Sequence, residues 1–318
     1  MTATTILQTK NLTKRYGTLT AVENLSLQVF EGQVFGLLGP NGAGKTTSIN
    51  MICGLLKPDS GQVLIYGRPI NDHDANIRAR VGVCPQNIVL WNTLTCLEQL
   101  EFIGEMYAVP RRVARRRGEA LLEIMGLADK RNKLARTLSG GMQRRLNLIM
   151  ALVHDPDILV LDEPEAGLDP QSRVLVREYV QSLARQANTF RPKTVILTTH
   201  NMDEAERMAD RVAIIDHGKL LVVDTPEALK RTMGEGDVLE IEVNGASAER
   251  GMAAVALIVP EVSTRDHTLV IRARGVVEML PFILDALRGA DVHPGEVRLR
   301  ANTLEDVFIS LTGRRLRE

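Results

Sequence analysis

Nine consecutive residues, Gly39-Pro40-Asn41-Gly42-Ala43-Gly44-Lys45-Thr46-Thr47, fit the spacing G-x-x-x-x-G-K-[ST] at every required position. Glycines in such a run let backbone N–H groups curl around a phosphate without interference from Cβ atoms. A helix starting here adds unsatisfied N–H groups and the positive end of its dipole. Lys45 can then set a point charge between the β- and γ-phosphates of a nucleotide, and the Thr46 hydroxyl can ligate Mg²⁺. Two adjacent carboxylates, Asp162 and Glu163, follow the apolar run Ile158-Leu159-Val160-Leu161. Asp162 is suited to hold Mg²⁺ through water, and Glu163 faces the place of a hydrolytic water. An acidic strand end is by itself only a turn; beside a phosphate loop it gains a role. His200, just past Thr194-Val195-Ile196-Leu197-Thr198, is placed to bond a γ-phosphate or the attacking water, an assignment that depends on its company.

These groups need elements to carry them. Val34 to Leu38 reads as a buried strand running into the glycine turn and then a helix from about Gly44 to Leu55. The runs at Ile158 and Thr194 have the continuous apolar character of parallel strands covered on both faces. In open parallel sheets ligands bind beyond the carboxyl ends of the strands, which is where the polar residues stand. Residues from about Leu97 to Leu138 have helical spacing, broken at Pro110, and read as a helical insertion. The pattern predicts an α/β P-loop domain over 1–233 with a helical subdomain at about 87–150. Glycines and acidic residues at Thr232 to Asp237 mark a boundary. Beyond it, strands at Val238 to Val243, His267 to Ile271 and Glu296 to Leu299, with helical stretches around Val255 and Leu284, predict a small α+β domain over 234–318.

Composition limits the partners. Among 318 residues the 39 basic and 39 acidic side chains balance, so no global basic excess favours the phosphate backbone of a nucleic acid. At 3% aromatics, base-stacking platforms are not expected. Cys53, Cys84 and Cys96 are odd in number and form no C-x-x-C pair, which argues for buried thiols over a disulfide framework or zinc site. No apolar run approaches the ~20 residues of a membrane span. The first residues lack a secretory signal, so residence in the cytosol is expected.

Leu138-Ser139-Gly140-Gly141-Met142-Gln143-Arg144-Arg145 resembles the signature of the ATP-binding cassette (ABC) ATPases. Gln86 after Cys84-Pro85 is similar to the family's glutamine loop. Gly167-Leu168-Asp169-Pro170 resembles the segment following the catalytic glutamate, and Tyr16 the aromatic that stacks on adenine. The resemblance covers roughly residues 5 to 230, with all motifs in family order. It implies an ATPase subunit using ATP and Mg²⁺ in a head-to-tail pair of cassettes, each nucleotide lying between one phosphate loop and the other chain's signature. Glu163 then resembles the general base, His200 the γ-phosphate sensor, and Gln86 a metal and water contact that also faces a membrane partner. Asp169 would lie at the dimer interface. On physical grounds Ser139, Gly140 and Gly141 at a helix start form a second anion site, which one triphosphate on one chain does not need. One departure stands out: Glu165-Ala166 replaces the small hydroxyl residues usual in relatives. Either Glu165 perturbs Glu163 or the interface, or it is simply a solvated side chain, the reading preferred here.

Met142, the Arg144-Arg145 pair and the terminal Thr303-Leu304-Glu305-Asp306-Val307-Phe308-Ile309-Ser310-Leu311-Thr312-Gly313 resemble ATPases of drug-resistance, sodium-efflux and polysaccharide exporters. By spacing alone, Leu304, Val307, Phe308 and Leu311 make only an amphipathic helix. The resemblance implies a polytopic permease partner, a second copy or homologous cassette, and a peripheral place on the cytoplasmic face of the cell membrane. The basic cluster Arg111, Arg112, Arg115, Arg116 and Arg117 reads as a solvated helix face with Glu119 and Glu123 nearby. The rival, a soluble ABC ATPase acting on nucleic acid or ribosomes, usually carries two cassettes or a long coiled coil. Here there is one cassette, and the stretch between Gln86 and Leu138 is too short for such a coil. A nucleotide-binding module without turnover is disfavoured by Glu163 and His200.

Overall fold

The structure, a computed structural model, describes residues 4–70, 75–185, 192–232, 237–265 and 267–313. Its contacts divide the chain between Pro226 and Glu227 into two compact units. The boundary expected at Thr232 to Asp237 falls largely on 233–236, outside the described residues.

The first unit opens with long strands β1 (Thr5–Tyr16) and β2 (Leu19–Phe30), then β3 (Val34–Leu38) and helix α1 (Lys45–Ile52). β4 (Ser60–Ile65), β5 (Arg68–Pro69), α2 (Ala75–Arg78) and β6 (Val81–Cys84) follow. Three helices come next, α3 (Cys96–Met106), α4 (Arg111–Ile124) and α5 (Gly140–Met150). The unit closes with β7 (Ile158–Asp162), α6 (Pro170–Ala184), β8 (Thr194–Thr199), α7 (Met202–Met208), β9 (Arg211–Asp216) and β10 (Lys219–Asp224).

Six of these strands form one sheet in the order β10-β9-β3-β8-β7-β6, parallel apart from the β9–β10 pair. β3, β7 and β8 are buried along their whole length, as continuous apolar runs require. The carboxyl ends of these adjacent strands therefore present the phosphate loop, Asp162 and Thr199 side by side. A second, antiparallel sheet, β2-β1-β4-β5, contributes Tyr16 at the end of β1.

The helical insertion starts on a capping box in which Thr95 Oγ1 accepts from Glu98 N and Glu98 returns to Thr95 N. Leu97, Leu100, Ala114, Leu121, Leu122 and Leu146 pack α3, α4 and α5 into a core shared with Leu159, Leu161 and Leu197 of the main sheet. Helix ends depart from the expected spans. α1 stops at Ile52 rather than Leu55, because Gly54 takes φ 69° and Leu55 N returns to Asn50 O. α4 stops at Ile124, before Gly126 at φ 63°; up to Leu138 only single 3₁₀ turns remain.

Across the unit boundary runs α8 (Pro226–Arg231). The second unit then contains β11 (Asp237–Val243), α9 (Ala248–Val255), β12 (Glu261–Arg265), β13 (Thr268–Ala273), α10 (Val276–Gly289), β14 (Pro294–Arg300) and α11 (Leu304–Thr312). Its antiparallel sheet, β12-β13-β11-β14, buries Leu239, Ile241, Leu269 and Ile271 with Val255, Ile283 and Leu287 of α9 and α10. This is an α+β unit, as expected, with one strand more than the three read from the sequence. On α11, Asp306 completes a capping box with Thr303 and takes ion pairs from Arg272 and Arg300 at 2.8 and 2.6 Å.

Candidate nucleotide site

β3 ends at Leu38, and the loop that follows turns sharply into α1. Gly44 precedes the helix at φ 98°, and a Cβ there would stand 2.4 Å from the Ala21 carbonyl oxygen, so only glycine fits. Gly42, at φ 80°, faces open space with nothing within 4 Å of where its Cβ would be. The loop borders a cleft of about 570 Å³ whose lining includes Tyr16, Asn41, Gly42, Gly44, Thr46, Thr47, Gln86 and Glu163. Backbone open to a cleft at a helix start is what a phosphate chain requires. Ala43 faces inward, 2% exposed, with Gly39 behind it. Tyr16 is half-exposed on the same cleft.

Lys45 is buried, and its Nζ donates to the carbonyl oxygens of Gly39 at 2.8 Å and Pro40 at 3.0 Å. Burial lowers the pKa of its ammonium, and the charges of Glu163 and Asp162 oppose that shift. Asp162 Oδ1 accepts a short hydrogen bond from Thr198 Oγ1, while its Oδ2 lies 3.4 Å from the Thr46 hydroxyl. Hydroxyl and carboxylate oxygens so close together fit Mg²⁺, which takes one or two protein oxygens and keeps water and phosphate for the rest.

Glu163 has φ 48°, a left-handed conformation uncommon outside glycine. Its N–H donates to Thr198 O and Thr198 Oγ1, each at 3.1 Å. Its carboxylate is bracketed: His200 Nδ1 lies 2.9 Å from Oε1, and Gln86 Nε2 donates to Oε2 at 3.0 Å. Residues 77 and 37 positions from Glu163 in the chain thus converge on one carboxylate. Held this way, it can accept a proton from a water in the cleft.

Ser139, Gly140, Gly141 and Asp169 do not line that cleft. Ser139 caps α5, its Oγ accepting from Met142 N at 3.4 Å. Asp169 caps α6, its Oδ2 accepting from Ser172 N at 3.0 Å, and hydrogen bonding to Ser172 lowers its carboxyl pKa. The two caps are neighbours, since a Cβ on Gly141 would stand 3.2 Å from Asp169 Oδ1. Ser139, Gly140 and Asp169 are exposed.

Glu165 overturns its expectation. It is not solvated: 7% of it is exposed, and it takes a bidentate pair from Arg177, Nε and Nη2 each at 2.9 Å. The reason is helical geometry, because α6 starts at Pro170 and turns Arg177 back toward the residues after β7. Three contributors carried no role in the sequence reading. Thr198 bonds both Asp162 and Glu163, His217 lines the cleft, and Arg144 is buried behind Glu163. For Arg144 a signal existed: it shares a buried helical stripe with Asn147, Leu148 and Ala151, where an arginine needs a reason. In the basic cluster, Arg111 and Arg115 pair with Glu101 and Arg117 with Asp155, while Arg111 and Arg115 keep 72% and 58% exposure.

Residues 22–166 match the family model described as ABC transporter. Along 99% of its length the chain is 40% identical to the Nod factor export ATP-binding protein I of Ralstonia nicotianae, covering 96% of that protein. The chain belongs to the ABC transporter family. This ABC protein is also 35% identical to the linearmycin resistance ATP-binding protein LnrL of Bacillus subtilis, over 98% of this chain and 100% of that one. Among solved structures, a dimeric ATP-binding cassette in a post-hydrolysis state bound to ADP and Pi superposes with a TM-score of 0.63 at 28% identity, covering 69% of this chain and 98% of that one. The P-loop α/β fold read from the sequence is therefore that of an ABC cassette, and the chain is an ATPase that uses ATP with Mg²⁺.

Proposed function

We propose that this ABC ATPase works as a head-to-tail pair, with itself or a homologous cassette, and drives a separate membrane permease to export a substrate. The observation that supports the pairing is that two groups of residues suited to bind an anion stand apart in one chain. The phosphate loop, Asp162, Glu163 and Gln86 meet at the cleft, while exposed Ser139 and Gly140 stand with Asp169 outside it. A second copy turned about a two-fold axis would bring its α5 start over the first chain's cleft, adding N–H donors to the phosphates. Export is favoured over action on nucleic acid or ribosomes by the relatives' names, which hold across the whole chain including the second unit. Paired arginines on α4 also weaken the case for a nucleic-acid surface.

In this reading Lys45, Asn41, Gly42, Ala43, Gly44 and Thr47 cradle the phosphates, Tyr16 stacks on the base, and Ser139 to Gly141 close the site from the partner. Bound Mg²⁺, held by Thr46 and Asp162 with Gln86 close by, supplies charge neutralisation. Glu163 takes the proton of the attacking water as the bond to the terminal phosphate breaks, and His200 and Gln86 keep its carboxylate oriented. Positioning and fixed charge supply most of the acceleration, so closure of the pair can gate turnover.

Residues 1–233, with the insertion at about 87–150, then form the catalytic cassette, and 234–318 an accessory domain. No helix among the described residues is long and apolar enough to cross a membrane, so the proposal assigns the membrane path to the permease. An apolar groove of about 280 Å³, whose lining includes Pro85, Val89, Trp91, Ile103 and Tyr107 and so flanks Gln86 in the chain, suits a permease segment. That docking would hold the chain on the cytoplasmic face of the membrane. The test is affinity purification from membranes. A co-purifying polytopic protein is expected, and recovery only with ribosomes or DNA would favour the rival.

A further inference from the structure

Arg144 is 3% exposed, and among the described residues none of its hydrogen-bond partners is a carboxylate. Its Nη1 donates to the carbonyl oxygens of Pro85 at 2.8 Å and Gln86 at 2.6 Å. Its Nη2 donates to those of Asp162 at 2.8 Å and Glu163 at 2.6 Å, and Nε reaches Pro164 O at 3.5 Å. A buried guanidinium is tolerable only when its N–H groups are used, and here carbonyl dipoles from two separate segments use them. One segment carries Gln86 and the other Glu163, and their side chains meet at 3.0 Å. Glu163 also sits at φ 48°, a conformation that persists only where the surroundings over-determine it.

The geometry points to Arg144 as the positioning residue of the hydrolytic centre: its planar fork, anchored on α5, sets the backbone of both Gln86 and Glu163. The inference rests on Glu163 being the general base. It adds a route between sites. Ser139 caps the same helix, so displacement of α5 when its start engages the partner's nucleotide passes through one rigid side chain to the carboxylate of its own cleft. Lysine is no substitute, because a point charge on a flexible stem cannot serve four carbonyls in fixed directions.

The test compares Arg144→Lys and Arg144→Gln with Glu163→Gln in the full-length chain, measuring steady-state ATP hydrolysis and, separately, MgATP binding. For Arg144→Lys, kcat is expected to fall at least tenfold while KM and the nucleotide Kd stay within about threefold, and Arg144→Gln should lose more kcat with the same split. A residue serving only the fold would not separate kcat from KM. Wild-type kcat in Arg144→Lys, a parallel loss of nucleotide affinity, or failure of both variants to fold overturns the inference. Glu163→Gln tests the parent reading on its own. If that variant turns over normally, Glu163 is not the base whatever Arg144 does; if it is inactive while Arg144→Lys is normal, only the role of Arg144 falls.

Discussion

His200 Nδ1 lies 2.9 Å from Glu163 Oε1 at the joint carboxyl end of β7 and β8. The strand register brings them near, since Asp162 pairs with Thr198; Glu163 is the first residue past β7 and His200 the first past β8, which runs one residue further, to Thr199. Gln86 takes the other carboxylate oxygen, so Glu163 is oriented from both sides.

From this bracket follows the behaviour of Glu163→Gln. The amide keeps the shape but accepts no proton, so hydrolysis is expected to fall by ~10²–10⁴-fold, the usual worth of a general base. MgATP binding should persist and a closed pair accumulate. Phosphate release and size-exclusion chromatography with ATP would check both, and normal turnover would refute the role.

Removing the Lys45 ammonium takes away the cation that Gly39 and Pro40 hold at the loop. Lys45→Ala is expected to weaken MgATP binding at least tenfold, about 1.4 kcal/mol or more. Unchanged affinity in a nucleotide titration would remove Lys45 from the phosphate contact.

The Glu165–Arg177 pair makes a claim about stability rather than catalysis. Glu165→Ala strands Arg177, whose side chain keeps 21% exposure, so the expected cost is about 2 kcal/mol, below the range for a fully buried pair. The saturating ATPase rate should stay within about threefold. A larger fall in rate with unaltered thermal stability would make Glu165 part of the reaction.

Glu204 sets a pH dependence. It is 7% exposed and accepts from Thr199 Oγ1 at 2.5 Å. Burial pushes its carboxyl from 4.5 up to about 7, against the Thr199 bond and with help from Glu165 and Glu163. The folded state therefore binds the proton more tightly than the unfolded one. Stability attributable to this group falls as pH rises from about 4.5 to about 7, and the penalty is full above that. Glu204→Gln should stabilise the protein by about 3 kcal/mol at pH 8 and by almost nothing near pH 4.5. Denaturant unfolding at the two pH values measures the difference; an equal effect at both would show that the carboxyl is not raised.

Much of the site was legible because its chemistry is contiguous. Residues 39–47 form one loop and helix start, strand β3 falls where its pattern puts it, and helix α1 begins where expected, at Lys45, though it ends three residues early. Long strands β1 and β2 were not read. Bulges at Thr9/Leu12 and Leu12/Lys14 shift the alternation out of phase, so no period of two runs through the twelve residues of β1. β12 escaped for another reason: Glu261-Val262-Ser263-Thr264-Arg265 is a mostly polar edge strand held by β13.

By itself the sequence determined the reaction class, since phosphate binding by a glycine loop, a strand-end carboxylate pair and a helix-start signature each need only neighbours in the chain. Tertiary structure alone decided the partners of Glu163, Glu165 and Arg144. Those contacts join residues 12 to 77 positions apart, and no local pattern records which of many polar side chains will share a buried space. A lone carboxylate after a strand looks solvated until packing removes its water and an arginine from the next helix takes its place.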